Sequence, residues 1–559
     1  MNRSDRSDRS SRSSRSDRSN RSKSFAYRVV TLGVAVALLL FGGFRLKAEG
    51  GRGADTDSPL IAAAKRGDEA GVRSLVGASK VRLPPSSLRD FGGPGKADTT
   101  DINAAAPDGT TALYWAARGD YLSIVRLLLA AGARAEAADR YGITPLALAA
   151  INGSAPVVSA LLEAGASAKG RVGDGETVLM AAARTGRADA VTLLLDRGAD
   201  PNAREPWQGE TALMWAAGEN NPEAVRLLAS RGANLDAHSN VLEFPKVKVD
   251  LATMVTTALP RGGLTALMFA ARQGASEGAR ALIDAGAPMN STDPDGTTAL
   301  NIAIINAHFD TAAVLIERGA DLNVADAAGM TPLYAAIDMK HQEPMINRPL
   351  QKATGRLLPQ DVISMLLSKG ANPNLALKAP LLMRQHSTGD ASLGDGATPL
   401  MRAAKVTDVE LMKALLEHGA NPNLALRNGT TVLMNIAARA GRPAPSEQTT
   451  IDVMAMLIKH GADVRMANGT GQTPLHLAIG RGDGIVTYLA EHGAPLDAKD
   501  SSGRTPLDVA MGVPGTAAAG RGGRGGRGGP GGPAGPPQVF ESTAALLKAL
   551  VTSQVPTNK

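Results

Sequence analysis

The chain has 559 residues, 43% hydrophobic and only 3% aromatic, with 62 glycines and no cysteine. That length exceeds what one hydrophobic core serves, the composition suits closely stacked helices better than a β-rich fold, and the missing cysteine excludes disulfides, thiolate metal sites and a cysteine nucleophile. The net charge of +7 sits at the ends: residues 1–28 hold eight Arg and one Lys against three Asp, and Arg521, Arg524 and Arg527 add three more, which leaves the body near −2 and without an expected basic face for nucleic acid.

Residues 1–28 are almost pure Arg, Ser and Asp and are expected to be a disordered basic arm. An uncharged apolar run follows from Val29 to Phe44. With its basic flank, segment 29–48 reads as a targeting element, and a cleaved signal peptide and an uncleaved signal-anchor transmembrane helix both fit its length. The positive-inside rule keeps the arm in the cytoplasm. The remainder is expected in the periplasm, free or anchored to the inner membrane. The Ala/Gly/Arg bias points to a bacterial source.

The body is periodic. One leucine marks each copy: Leu60, Leu113, Leu146, Leu179, Leu213, Leu267, Leu300, Leu333, Leu400, Leu433, Leu475 and Leu507, which defines units 1–12. A Thr or Ser two residues earlier is an N-cap whose hydroxyl accepts a free backbone N–H, and Pro often occupies the first helical position, where no donor is needed. Paired alanines such as Ala116-Ala117 let a short first helix pack closely. A second helix carries apolar residues at helical spacing, as in Ile124, Val125, Leu128 and Leu129. It ends at a glycine such as Gly132 or Gly165, and a tight Asp-Gly or Asn-Gly turn leads to the next cap.

The pattern D-G-x-T-P-L-x-x-A-A…L-L…G-A-D-x-N, repeated in register, closely resembles the ankyrin repeat. The resemblance implies an all-α solenoid of stacked helix-turn-helix units with hairpin-like turn fingers. It also implies a concave face of fingers and first helices that binds proteins without a cofactor. Repeats are expected over 57–238 and 262–512, separated by an insertion at 239–261. Further interruptions are read at 80–107, 339–360, 379–394 and 442–450. A Gly/Pro/Arg-rich flexible linker at 513–538 leads to 539–555, the closing helix of the last unit. The chain departs from the family at the usual His after the Leu, which only His476 keeps. Inter-finger hydrogen bonding through that side chain is therefore expected to be largely lost.

Candidate chemistry is sparse. Gly274-Ala275-Ser276-Glu277-Gly278 matches G-x-S-x-G but lies between two repeat helices, without the strand-to-helix context a nucleophile needs. His418, His460 and His492 each precede a capping glycine, where a cation favours the helix C-terminus, and no ligand spacing for a metal is present. The Arg-Gly-Gly run at 521–529 lacks aromatics for base stacking. Trp115, Trp215 and Phe269 share one repeat position, read as packing between units. Trp207 and Gln208 lie on a turn finger, with Arg140 and Tyr141 on a finger read as its neighbour. They are the expected anchors for a partner. The expected function is a non-catalytic protein-interaction scaffold with an unknown protein partner, no small-molecule substrate, no metal and no cofactor, touching the membrane only through 29–48. Two alternatives stand beside it: a nucleic-acid binder using the basic tails, and an enzyme with a site built from the insertions.

Overall fold

The computed structural model describes residues 57–80, 101–173, 175–242, 262–341, 352–378, 393–438, 445–514 and 539–554. The basic arm, segment 29–48, the 513–538 linker apart from its first two residues and most of each insertion lie outside them. Among the described residues the chain forms twenty-four helices, two for each of the twelve leucine-marked units, and no helix is long and apolar enough to cross a membrane.

First helices are short, from Pro474–Ala478 to Pro332–Lys340, and their starts are fixed chemically. Thr111 Oγ1 accepts the Tyr114 N–H at 3.2 Å, and Thr144, Thr211, Thr265, Thr298, Thr331 and Thr398 repeat the bond three residues on. Helices this short are marginal alone. They persist because each first helix lies against the next first helix, and most second helices lie against the next second helix. Ala116, Ala117, Ala149, Ala150, Ala182, Ala183, Ala216, Ala217, Ala270 and Ala271 are fully buried in these contacts. One apolar cluster runs from Leu60 to Leu547. Each buried Leu or Val in it contributes about 1.5–3 kcal/mol against an exposed one.

The fingers are also joined in series. Asp139, Asp326 and Asp500 accept backbone N–H groups two and four residues ahead through one carboxylate oxygen, closing the turn. Arg140 N then donates to Asp108 O of the preceding finger at 2.9 Å, and Ala327 to Asp295, Arg427 to Asp395 and Ser501 to Thr470 follow the same rule. At the opposite end of several connections an asparagine ties two units together. Asn374 Nδ2 donates to Gly419 O while its Oδ1 accepts from Asn421 N, and Asn103, Asn202 and Asn423 make the same pair. A two-stranded antiparallel ribbon, Arg171–Val172 with Glu176–Thr177, stiffens one finger.

The lost histidines are partly replaced. His476 faces its own cap at Thr473 and reaches Arg504 O in the next finger. Tyr114 makes an equivalent crossing through its hydroxyl to Asp139 Oδ2 at 3.1 Å, and burial with Asp139 alongside pushes that phenol up to about 12. Asn301 crosses to Met330 O. Met180 and Met434 only accept their own cap's N–H through sulfur. Inter-finger bonding is thus thinned at the methionine units and kept at Tyr114 and Asn301, because any side chain with a donor at the right reach serves.

Several interruptions are narrower than their sequence reading. Asp101–Ala106 already form a finger, since Asn103 ties them to unit 2. The helix Glu447–Lys459 starts inside 442–450, capped by Ser446, and Glu447 Oε1 accepts Ile485 N of the next unit. Arg356 and Leu357, at the end of 339–360, donate to the Asp310 carboxylate of the previous unit. Glu541–Gln554 packs on Pro506–Ala510 and Asp483–Glu491, with Phe540 N donating to Ala510 O.

The turn between the two helices of a unit demands a left-handed residue. Glycine fills it at Gly67, Gly153, Gly186 and Gly274, but Asp120, Asn220, Ala307 and Thr407 occupy it elsewhere. Thr407 is the worst suited, being β-branched at φ 56° with a buried hydroxyl that lacks a partner. Thr407→Gly is expected to stabilise the array by about 1 kcal/mol in urea denaturation.

Candidate functional site

Large apolar side chains left in solvent cluster on the fingers of units 3–6. Tyr141 is 64% exposed and Trp207 44%, and Val241 and Leu242 are exposed beside them in chain order. Each finger abuts the next: Gly173 lies under Tyr141 O, Gly175 under the Pro206 ring, and Asn240 N donates to Gln208 O. Gly175 has φ 130°, and a Cβ there would come within 2.6 Å of Pro206, so only glycine permits this approach. The two fingers read as neighbours are separated by the 171–177 ribbon. Each unit inserts one finger, and the ribbon is the finger of unit 4, between those of units 3 and 5.

Trp207 is displayed by an unusual turn. Its finger is one residue longer than that at Asp139, and the longer Glu205 replaces Asp. The buried Glu205 carboxylate accepts Trp207 N at 2.6 Å, Gln208 N at 2.7 Å and Glu210 N at 2.9 Å. Three charge-assisted bonds hold the loop, and Pro206, Trp207 and Gln208 are left exposed at its tip. On the other finger the Arg140 guanidinium stacks 5.1 Å from the Tyr141 ring centroid.

Behind the fingers, the first helices carry an aromatic position with a basic residue over it. Lys65 and Arg118 lie over Trp115 at 4.5 and 5.0 Å, Arg184 over Trp215 at 5.3 Å, and Arg272 over Phe269 at 4.5 Å. Phe269 is buried, whereas Trp115 and Trp215 are half-buried, so the stripe packs between units and also reaches the surface. Trp115 Nε1 donates to Thr110 Oγ1 at 3.1 Å. In unit 5 Glu210 takes the place of Thr110, and Trp215 Nε1 is enclosed without a partner.

Glu210 is only 9% exposed, and its carboxylate makes no hydrogen bond among the described residues. Desolvation, with Glu205 and Glu176 adding like charge, pushes it up to about 7, against a smaller opposing pull from Arg272. Glu176 is raised too, first by burial, with Arg184 opposing. Sequence reasoning missed this group. The only available signal was an acidic residue directly before the capping Thr, in two consecutive units.

The other candidates resolve into structural roles. Ser276 starts a second helix and bonds Thr311 Oγ1 at 2.8 Å. The Nδ1 atoms of His418, His460 and His492 face the carbonyls four residues back. Among the described residues no three His, Asp or Glu side chains converge to hold a metal ion. In unit 9 the stripe position is polar, and it pairs with the position three further on in unit 8: Arg402 Nε donates to Asp338 Oδ1 at 2.9 Å, both nearly buried.

The family model "Ankyrin repeats (3 copies)" matches residues 60–171, 166–239, 267–376 and 444–513, and "Ankyrin repeat" matches 395–425. The chain belongs to the ankyrin-repeat family. No curated protein matches it. Among solved structures, the crystal structure of the human ASB11 ankyrin repeat domain is similar at 23% identity and a TM-score of 0.36, covering 47% of this chain and 99% of that one. Ankyrin repeats are in general non-enzymatic protein-interaction modules, and this ankyrin array is a protein–protein interaction scaffold.

The shift at Glu210 sets a pH dependence. Its folded value lies above the ordinary 4.5, so the folded array favours the protonated form and loses stability as pH rises from about 4.5 through about 7. Glu210→Gln should remove much of that loss, leaving the variant about 2 kcal/mol more stable than the parent at pH 8 and little changed at pH 4, as read by urea titration at both pH values.

Proposed function

We propose that this ankyrin array works outside the cytoplasm and grips one protein partner across the fingertips of units 3–6. The single observation that carries the reading is the exposure of Tyr141 and Trp207, at 64% and 44%, on fingers held rigid by carboxylate-capped turns. Large apolar groups displayed on a rigid support lose little entropy on binding, and aromatic anchors of this kind carry most of the energy of an interface. Gln208 and Arg140 flank the anchors as polar contacts. The basic run before the apolar segment 29–48 supports export, either with cleavage or as an anchor. The basic tails and the insertions support no stronger reading for nucleic acid or catalysis.

Crosslinking in the native host, followed by capture of the full chain, should yield a partner whose recovery falls about tenfold or more in Tyr141→Ala/Trp207→Ala. Equal recovery would remove the fingertips from the interface, and capture of no partner at all would defeat the scaffold reading of this surface. Mass spectrometry of the native N-terminus decides the export route. A mature chain starting near Ala48 marks a cleaved signal peptide, and an intact N-terminus in the membrane fraction marks an anchor.

A further inference from the structure

The stacked cations behind the fingertips point to the chemistry of the partner. Arg118, Arg184 and Arg272, with Lys65, occupy one repeat position, the residue after the alanine pair, in units 2, 4, 6 and 1. The first helices pack side by side in order, so equal positions fall on one face. The rings beneath hold the cationic groups in place. Two of the cations cross a unit boundary to find their ring: Lys65 of unit 1 sits over Trp115 of unit 2, and Arg184 of unit 4 sits over Trp215 of unit 5. Gly218 stands at the basic position in unit 5 and leaves that ring open to Arg184.

These arginines are poorly paired. Among the described residues the side chains of Arg118 and Arg272 have no hydrogen-bond acceptor and no carboxylate within ion-pair distance, and Glu210 attracts Arg272 only from farther off. Arg184 has only Glu176 Oε1 at 3.9 Å, beyond hydrogen-bond reach. Lys65 alone is satisfied, by Asp57. Ordinary surface arginines are mobile and solvated. Here the guanidinium groups rest over aromatic supports and none has a bidentate partner, which suits them to carboxylate recognition.

We propose that this face receives an extended acidic segment of the partner protein, with its carboxylates on Arg118, Arg184 and Arg272 and apolar side chains between them. The proposal rests on the interaction reading above and specifies the partner's chemistry. The spacing favours a peptide over a nucleic acid. The three arginines recur in alternate units, with Leu148 and Ile151 in the gap at unit 3. A phosphate backbone calls for a continuous run of cations, whereas alternating acidic and apolar side chains match this surface.

The test measures fluorescence anisotropy of the full chain with three labelled probes: a peptide alternating Glu and Leu, its counterpart alternating Lys and Leu, and a single-stranded oligonucleotide. The Glu/Leu peptide should bind, weaken as salt rises from about 0.05 to about 0.3 M, and lose about tenfold or more in affinity with Arg118→Gln/Arg184→Gln/Arg272→Gln. Arg118→Lys/Arg272→Lys should retain part of the affinity, since charge survives and the fork does not. Circular dichroism checks that the variants fold, and the exposed pair Arg118→Gln/Arg272→Gln serves if the triple variant does not. Equal binding of the Lys/Leu peptide, or no effect of the arginine changes, would overturn the proposal. Tighter oligonucleotide binding that vanishes in the variant would replace it with nucleic-acid recognition. If the partner crosslinked in the host binds parent and triple variant alike, the scaffold reading stands and the acidic segment falls.

Discussion

The array depends on one close approach, the contact of each first helix with the next through buried alanine, which is paired in units 1–6 and 9. Two helices of five to nine residues, as at Ala112–Arg118 and Leu122–Ala130, cannot bury an apolar face by themselves. A methyl side chain at the contact lets the neighbouring backbone come near enough for the flanking leucines to interlock. Stability then lies in the interfaces between units more than inside them. A larger residue at Ala117 or Ala150 would hold two units apart and expose both of their leucine layers.

Serial stacking turns a repeat position into a line on the molecule. The Asn at the end of a connection becomes a row of stitches, and the residue after the Leu becomes a row of contacts between fingers. The array tolerates changes of residue type along a row when geometry is kept, as Tyr114, Asn301 and His476 show by bonding the next finger with three different groups. The same logic gives the surface its function. Aromatics at one position and basic residues three further on produce a line of stacked cations that no single unit contains.

The two halves of the array use the stripe position differently. In units 2, 5 and 6 it holds aromatics, and cations lie over them facing outwards. In units 8 and 9 Arg402 turns to Asp338 of the neighbouring first helix, and Asp408 receives Lys340. A nearly buried ion pair of this kind costs desolvation to form, but removing one partner strands the other charge. Charge in that region is consumed in holding units together, and charge in the N-terminal half remains available to a ligand. The finger at Glu205 makes the same distinction locally, where one buried carboxylate is spent on three backbone donors so that Trp207 stands clear.

The twelve units, their caps, their turns and their glycines were legible in the residues because each is a local rule: a threonine oxygen three residues from its N–H, a 3.6-residue apolar period, a left-handed turn. Trp207 and Tyr141 could be named for the same reason, as large residues on a turn with no apolar period to absorb them. The tertiary structure alone decided the ribbon form of the finger between them, the true starts of the helices inside the insertions, the like-charge coupling of Glu176 and Glu210, and the placement of Arg184 on a ring of the following unit. Those facts depend on which atoms meet when one unit is laid on the next. A repeat read along the chain fixes what each unit is, and the distances between units arise only when they are stacked.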